Sequence, residues 1–199
     1  MPVMERMGPE PETVARAAAG DGAAFREIVD AWRGRVLAFG YRMTGDGARA
    51  EDLAQEVFLH LYTVLRRYDP SRPFAPWMRR VMTNVVLNRL RRRSPAEASL
   101  GDGGDAGPIP PDPRSPDPVR EAEAAETAAA VREGLAALPP GWRAVVALRY
   151  SEGLSIAEVA AALDLPENTV KTRLFRAREA LRGPLRSLGE GAARGEGKP

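Results

Sequence analysis

The chain has 199 residues, 44% of them hydrophobic and 28% charged, with a formal net charge of +2; this is the composition of a soluble globular protein of one ordinary domain or two small ones, not of a fibre. No apolar run approaches the roughly 20 residues a bilayer span requires, and the N-terminus MPVMERMGPE lacks both the basic start and the apolar stretch of a secretion signal, so a cytoplasmic protein without membrane insertion is expected. Zero cysteines remove disulfides, thiol nucleophiles and cysteine zinc sites, and a single histidine, His60, leaves no multi-histidine metal site and makes a histidine triad improbable.

In chain order, the first helix begins near Asp21, where Phe25, Ile28, Val29, Trp32, Val36 and Phe39 or Gly40 form one apolar stripe at three- and four-residue intervals. Thr44-Gly45-Asp46-Gly47 breaks it. Asp46 can cap a second helix from about Ala48 to Arg67, with Glu51 and Asp52 in the first turn, where the dipole favours acids, and Leu53, Val57, Leu61 and Leu65 as its buried row. Pro70, Pro73 and Pro76 then force a loop. Pro76 suits the first position of a third helix, on which Trp77, Val81, Val85 and Leu87 or Asn88 follow, ending at Ser94-Pro95. Between Ser71 and Arg93 stand seven basic residues and no acid.

Ser94 to Pro118 is built mostly of Pro, Gly and Asp, with Leu100 and Ile109 as its only large aliphatics. Such a segment buries too little apolar surface to offset its ordering entropy, which predicts a flexible, semi-extended linker. From Ser94 to Glu126, eight acids face two arginines. An alanine-rich helix is expected over Val119 to Ala137, stopped by Pro139-Pro140, and a short one around Trp142, Val145, Val146 and Leu148. Ser155-Ile156-Ala157-Glu158 is a capping box. It opens a helix to about Leu163, and after the turn Asp164-Leu165-Pro166 a second runs from Glu167 to about Arg182, giving a helix-turn-helix. Gly189 to Pro199 reads as a frayed tail.

Val170, Leu174, Ala177 and Leu181 must face Ile156, Val159, Ala160 and Leu163, which fixes the outer face of the second helix: Asn168, Lys171, Thr172, Phe175 and Arg176. Hydrogen-bond donors beside one aromatic suit base edges and thymine methyls in a major groove, with Arg173, Arg178 and Arg149 at the sides to hold phosphates. Glu167 to Arg186 carries six basics against two acids. Two basic blocks flanking an acidic one point to a polyanionic partner.

Ala50-Glu51-Asp52-Leu53-Ala54-Gln55-Glu56-Val57-Phe58, then Phe74-x-x-Trp77 and Asn84, and later Gly153-Leu154-Ser155-x-x-Glu158-Val159-Ala160 with Thr169-Val170-Lys171-Thr172-Arg173-Leu174-x-Arg176-Ala177-Arg178 resemble a bacterial RNA polymerase sigma factor of the extracytoplasmic function (ECF) group of the sigma-70 family. The resemblance spans roughly residues 10 to 186. It implies an all-α fold of two small helical domains: a region 2 bundle over 10–94, a flexible acidic linker over 95–118, a region 4 helix-turn-helix over 119–187 and a tail over 188–199.

It further implies that Asp52, Gln55, Glu56 and Leu59 dock on the β′ clamp helices of core RNA polymerase, where exposed acids meet a basic surface, with the β flap as a second contact. The loop Asp69 to Pro76 and the helix after it become the element that melts the minus-10 promoter sequence. An extruded base needs a pocket and the strand needs cations, roles that fall to Arg72, Phe74, Arg79, Arg80, Asn84, Asn88, Arg91 and Arg92, with Arg89 and Arg93 along the phosphates. The minus-35 duplex falls to Arg149, Asn168, Thr169, Lys171, Thr172, Arg173, Phe175, Arg176 and Arg178. Trp32, Trp77 and Trp142 read as core, and His60 as a surface or packing residue. Two departures stand out: Asn88 replaces an acid common in the family, which makes this face more cationic, and Pro166 stands where a serine often caps the second helix. The family's linker passes near the nascent RNA, and its members are typically held by an anti-sigma factor. No enzyme activity and no cofactor are expected. A dimeric helix-turn-helix regulator would explain the second half alone but not the proline loop and its basic helix, and a nucleic-acid enzyme would need carboxylates that residues 71–93 lack.

Overall fold

A computed structural model describes residues 9–92 and 129–192, with side chains as far as Arg182. The linker expected at 95–118, Arg93, the start of the alanine-rich helix and residues 193–199 lie outside that range. Among the described residues the chain is all-helical, in two clusters. The first holds α1 (Pro11–Ala18), α2 (Gly22–Thr44), α3 (Gly47–Val64) with a 3-10 turn at Leu65–Arg67, and α4 (Phe74–Arg92). The second holds α5 (129–137), α6 (Pro140–Val146) running into a π-helical turn at Ala147–Ser151, α7 (Ile156–Leu163) and α8 (Glu167–Ala192).

Helix starts follow local chemistry. Asp21 accepts the amides of Ala23 and Ala24, Asp46 accepts that of Arg49, and Ser155 with Glu158 closes a reciprocal capping box. Gly45, at φ 72°, ends α2 in the left-handed region that glycine enters without a Cβ penalty. Pro11 opens α1, a helix absent from the sequence expectation; its eight residues bury only Val14 and Ala17.

Trp32, Ile28, Val36, Phe39 and Met43 of α2 meet Leu53, Val57 and Leu61 of α3, and Met78, Val81, Met82, Val86 and Leu87 of α4 close the core. The buried row of α3 is the one its spacing predicts. On α4 the expected Val81 and Leu87 are buried, but Met78, Met82 and Val86 are covered more fully, while Trp77 and Val85 are half-buried. That helix begins at Phe74, two residues before Pro76. α8 continues through Pro184 to Ala192, past the end expected near Arg182 and into the segment read as tail.

The two clusters share one continuous apolar core. α4 packs against α7, and α2 against α6. Arg143, half-buried in the last turn of α6, donates to the carbonyls of Met43 on α2, Ala136 and Leu138; burial pulls its guanidinium below its ordinary pKa.

α2 and α3 approach closely at Gly40, where an added Cβ would stand 3.2 Å from both the Cα and the carbonyl oxygen of Ala50. Those are backbone atoms and cannot rotate aside. Gly40→Ala is therefore expected to destabilise the protein by about 1–3 kcal/mol, as overpacking of a filled interior does, seen as a lower thermal unfolding midpoint with the helical circular-dichroism signal retained.

Candidate functional site

α3 presents Asp52, Gln55 and Leu59 outward at three- and four-residue spacing. Leu59 is 70% exposed. Glu56, half-buried, is turned to α4, where it pairs with Arg89 at 3.1 Å. Beside this face a largely apolar groove runs between α2 and α3, lined by Phe25, Val29, Leu37, Phe58, Leu59 and Tyr62, with Asp30, Arg33 and Gln55 at its rim. Phe25 and Tyr62 meet edge to face at 5.2 Å. Sequence reasoning placed Phe25 and Val29 in the main core stripe. The signal for the groove was their continuation at four-residue steps to Arg33 and Leu37, a second stripe offset from Ile28, Trp32 and Val36.

The loop before α4 is prebuilt. Asp69 accepts the amide and hydroxyl of Ser71 at 3.0 and 2.7 Å, which hold its carboxyl below the usual carboxylate range. The Tyr68 hydroxyl, raised in pKa by burial, donates to the Arg72 carbonyl. Arg72 is exposed and pairs with Asp69 at 3.4 Å. Phe74, expected near a base pocket, is 7% exposed and packs with Trp32, Tyr68 and Trp77 at ring separations of 6.2, 5.4 and 5.8 Å. Its ring supports the loop from inside.

Along α4, Arg80, Asn84, Asn88 and Arg92 recur every fourth residue on one exposed stripe, with Arg91 beside it. Asn84, Asn88, Arg89 and Arg92 line a shallow cleft with Leu59, His60 and Thr63 of α3, so the outward face of α3 and the amide-bearing face of α4 adjoin. Arg79 departs from the sequence expectation of a surface cation: it is 7% exposed, and its Nε has no hydrogen-bond partner. It lies beneath the second cluster because its position on α4 precedes Thr83 by one turn, the side that α7 covers.

In the second cluster the helix-turn-helix forms as its sequence dictates. Val159, Ala160 and Leu163 of α7 are buried with Val170, Leu174 and Ala177 of α8. Asp164 ends α7 at φ 55°, a left-handed position in which an Asp is tolerated. Asn168, Lys171, Thr172 and Arg176 are exposed together, Thr169 is half-buried, and the Thr172 hydroxyl donates to the Asn168 carbonyl. Arg173 lies over Gly141, Arg149 donates to the Leu154 carbonyl at 2.7 Å, and Arg178 donates Nε–H to the Tyr150 hydroxyl at 2.7 Å. Phe175 is 63% exposed at the rim of an apolar groove formed with Val131, Leu135, Val146, Tyr150 and Leu181. Its neighbours therefore include a protein-lined hollow that the sequence did not announce. Among the described residues no group of His, Cys, Asp and Glu is arranged to hold a metal ion.

The family model for Sigma-70 region 2 matches residues 28–95, and that for Sigma-70, region 4 matches 128–181. The ECF RNA polymerase sigma factor SigW of Bacillus subtilis is 36% identical over 85% of this chain and 92% of its own length. The ECF RNA polymerase sigma-E factor of Escherichia coli is 30% identical over 88% and 93%. Among solved structures, CnrH in complex with the cytosolic domain of CnrY aligns over 90% of this chain and 98% of that one, with 28% identity and a TM-score of 0.61. The sigma factor RpoE of Bartonella quintana, in complex with the anti-sigma factor NepR, covers 81% and 96% at a TM-score of 0.61; at 20% identity it speaks to the fold.

The expectation of a plainly cytoplasmic protein is corrected at this point. The solved relative CnrH is in complex with the cytosolic domain of CnrY, and nothing in the likeness places this chain in the cytoplasm. What the described helices establish is narrower: none is long and apolar enough to cross a membrane.

The capping box that sets α7 also carries a pH dependence. Glu158 accepts the Ser155 amide at 2.8 Å, and this hydrogen bond is the main cause holding its carboxyl below the ordinary value of 4.5. A carboxylate with a depressed folded pKa contributes stability above its unfolded pKa and loses it as pH falls through the folded one. Compared with Glu158→Gln, the wild type should keep its full advantage near neutrality and lose it progressively below about pH 4.5, as read by denaturant midpoints of both chains across that range.

Proposed function

Since the chain belongs to the ECF group of RNA polymerase sigma factors in the sigma-70 family, and so directs polymerase to promoters without being an enzyme itself, we propose that its surfaces divide that task in three. The outward face of α3, Asp52, Gln55, Glu56 and Leu59, with the adjoining apolar groove, docks on core polymerase at the β′ clamp helices. The loop at 69–73 and the α4 stripe hold the opened strand of the minus-10 element. α8 reads the minus-35 element as duplex through Asn168, Lys171, Thr172 and Arg176, with Arg149, Arg173 and Arg178 on phosphates.

The observation that carries this reading is the α4 stripe. Arg80, Asn84, Asn88 and Arg92 set two amides between two cations down one exposed helix face, and the segment around them contains no acid. Cations track a backbone and amides hydrogen-bond to unpaired base edges. A dimeric regulator of duplex DNA has no use for such a face. The chemistry of α8 differs: donors of mixed length, Asn168, Lys171, Thr172 and Arg176, in the first turns of a helix suit a major-groove reader.

An anti-sigma factor is the partner proposed for the apolar grooves in the absence of polymerase. Support comes from the CnrH structure, solved with a bound partner, and from exposed Leu59, Tyr62, Tyr150 and Phe175, large apolar side chains that a free protein gains by covering.

Run-off transcription with core polymerase tests the division. Leu59→Asp should weaken binding to core by about 2 kcal/mol, as loss of an interface anchor does, without altering the isolated chain's helicity. Asn84→Ala with Asn88→Ala should leave polymerase binding intact and reduce open-complex formation, measured by permanganate reactivity of unpaired thymines. Arg176→Ala should relax minus-35 sequence preference, costing about 1–3 kcal/mol on the preferred site. A fragment lacking residues 1–118 should not initiate, and initiation by it would refute the assignment.

A further inference from the structure

Between α6 and α7 the helix widens, and two adjacent side chains there tie down different neighbours. In the π-helical turn Ala147–Ser151 the Glu152 amide reaches back five residues to the Ala147 carbonyl, and the Leu154 amide reaches the Leu148 carbonyl, both at 3.2 Å. Such a turn takes in an extra residue, a form frequent at functional sites. Arg149 donates to the Leu154 carbonyl at 2.7 Å, which braces the segment that delivers Ser155 to its capping position. Tyr150, next in the chain, is turned to α8. Its hydroxyl accepts the Nε–H of Arg178 at 2.7 Å, and the guanidinium carbon stands 5.8 Å from its ring centroid.

The chemistry of that partner matters. Arg182, one turn further along α8, is paired with Glu179 at 3.0 Å, so part of its charge is already met. Among the described residues no carboxylate lies within ion-pair distance of Arg178. A neutral phenol takes up one of a guanidinium's five N–H donors and leaves the rest, with the whole positive charge, for an anion. Tyr150 therefore restricts where Arg178 points without neutralising it, which a carboxylate could not do. Arg178 also lies in helical phase with Lys171, on an exposed stripe beside that of Asn168, Thr172 and Arg176. A free surface arginine loses rotamer freedom when it takes a phosphate, and one already held loses less.

We propose that Tyr150 is a positioning residue for minus-35 recognition: its hydroxyl holds the Arg178 guanidinium in the pose that meets a backbone phosphate of the duplex, and so lowers the ordering cost of that contact. The role rests on the phosphate reading of Arg178 given above. It also gives the π-helical turn a task, since the turn sets Tyr150 toward α8 while Arg149 braces the other side.

The test compares four full-length chains, each saturated with core polymerase: wild type, Tyr150→Phe, Arg178→Ala and the double variant. The probe is a dye-labelled duplex enriched from a random library by the wild-type complex, and its affinity is measured over a range of salt concentrations. Arg178→Ala should lower affinity and reduce the slope of log affinity against log salt by about one, the loss of one phosphate contact. Tyr150→Phe keeps the ring and removes the acceptor; it should weaken binding about fivefold, the scale of freeing one long side chain. Added to Arg178→Ala it should change nothing, because a hydroxyl that acts through Arg178 then has nothing to hold. A tyrosine with a merely structural role would cost the same in both backgrounds, even where it also lowers the unfolding midpoint. That equality, or full affinity in Tyr150→Phe, overturns the proposal. If Arg178→Ala leaves both affinity and slope unchanged, the phosphate reading of Arg178 has failed, and the positioning role with it.

Discussion

A single helix, α4, is packed on two sides, and that constraint organises the molecule. Its Met78, Met82 and Val86 face belongs to the core built around Trp32, while Thr83 and Arg79, one turn apart on a neighbouring face, lie against α7. What is left to solvent is one narrow strip. The polar functional groups of the helix must share it, which explains why Arg80, Asn84, Asn88 and Arg92 fall at strict four-residue spacing where a wholly exposed helix would scatter them. Function is confined to the residue phase that packing leaves over.

Much of this was legible because its causes are local. Caps at Asp21, Asp46 and Ser155 announce themselves within four residues of sequence, and the buried row Leu53, Val57, Leu61 and Leu65 follows from helical spacing alone. The helix-turn-helix is likewise a short-range object, so Val159, Ala160, Leu163, Val170, Leu174 and Ala177 are buried as expected, whereas Leu181, expected to face α7, is half-buried and lines the groove beside Phe175. The short α1 was not legible, since a helix with two buried side chains has almost no periodic signal. The expected row of α4 holds at Val81 and Leu87 but not at Trp77 and Val85, which are half-buried, for a different reason: apolar residues occupy most of its first three turns, and only a second packing partner decides which of them are covered.

Arg79 and Phe74 show where local reading stops. Both have the chemistry expected at a nucleic-acid surface, and both are buried, Phe74 by a ring cluster that assembles from α2, the Tyr68 turn and α4, Arg79 by a helix more than seventy residues away in sequence. Residue type proposes a role; a long-range neighbour decides whether the side chain is free to take it. The groove edged by Phe25 and Tyr62 is the converse, apolar residues that look like core and prove to be surface because no third element closes over them.

The near contact of Gly40 with Ala50 has one more implication. Helices packed so closely that one added methyl would press on the facing main chain resist sliding or rolling past each other, which stiffens α2 and α3 into a plate. A large assembly pressing on the outer side of that plate would not dent it; the load would pass whole to whatever leans on its far side, as a handle turns the bolt of a lock.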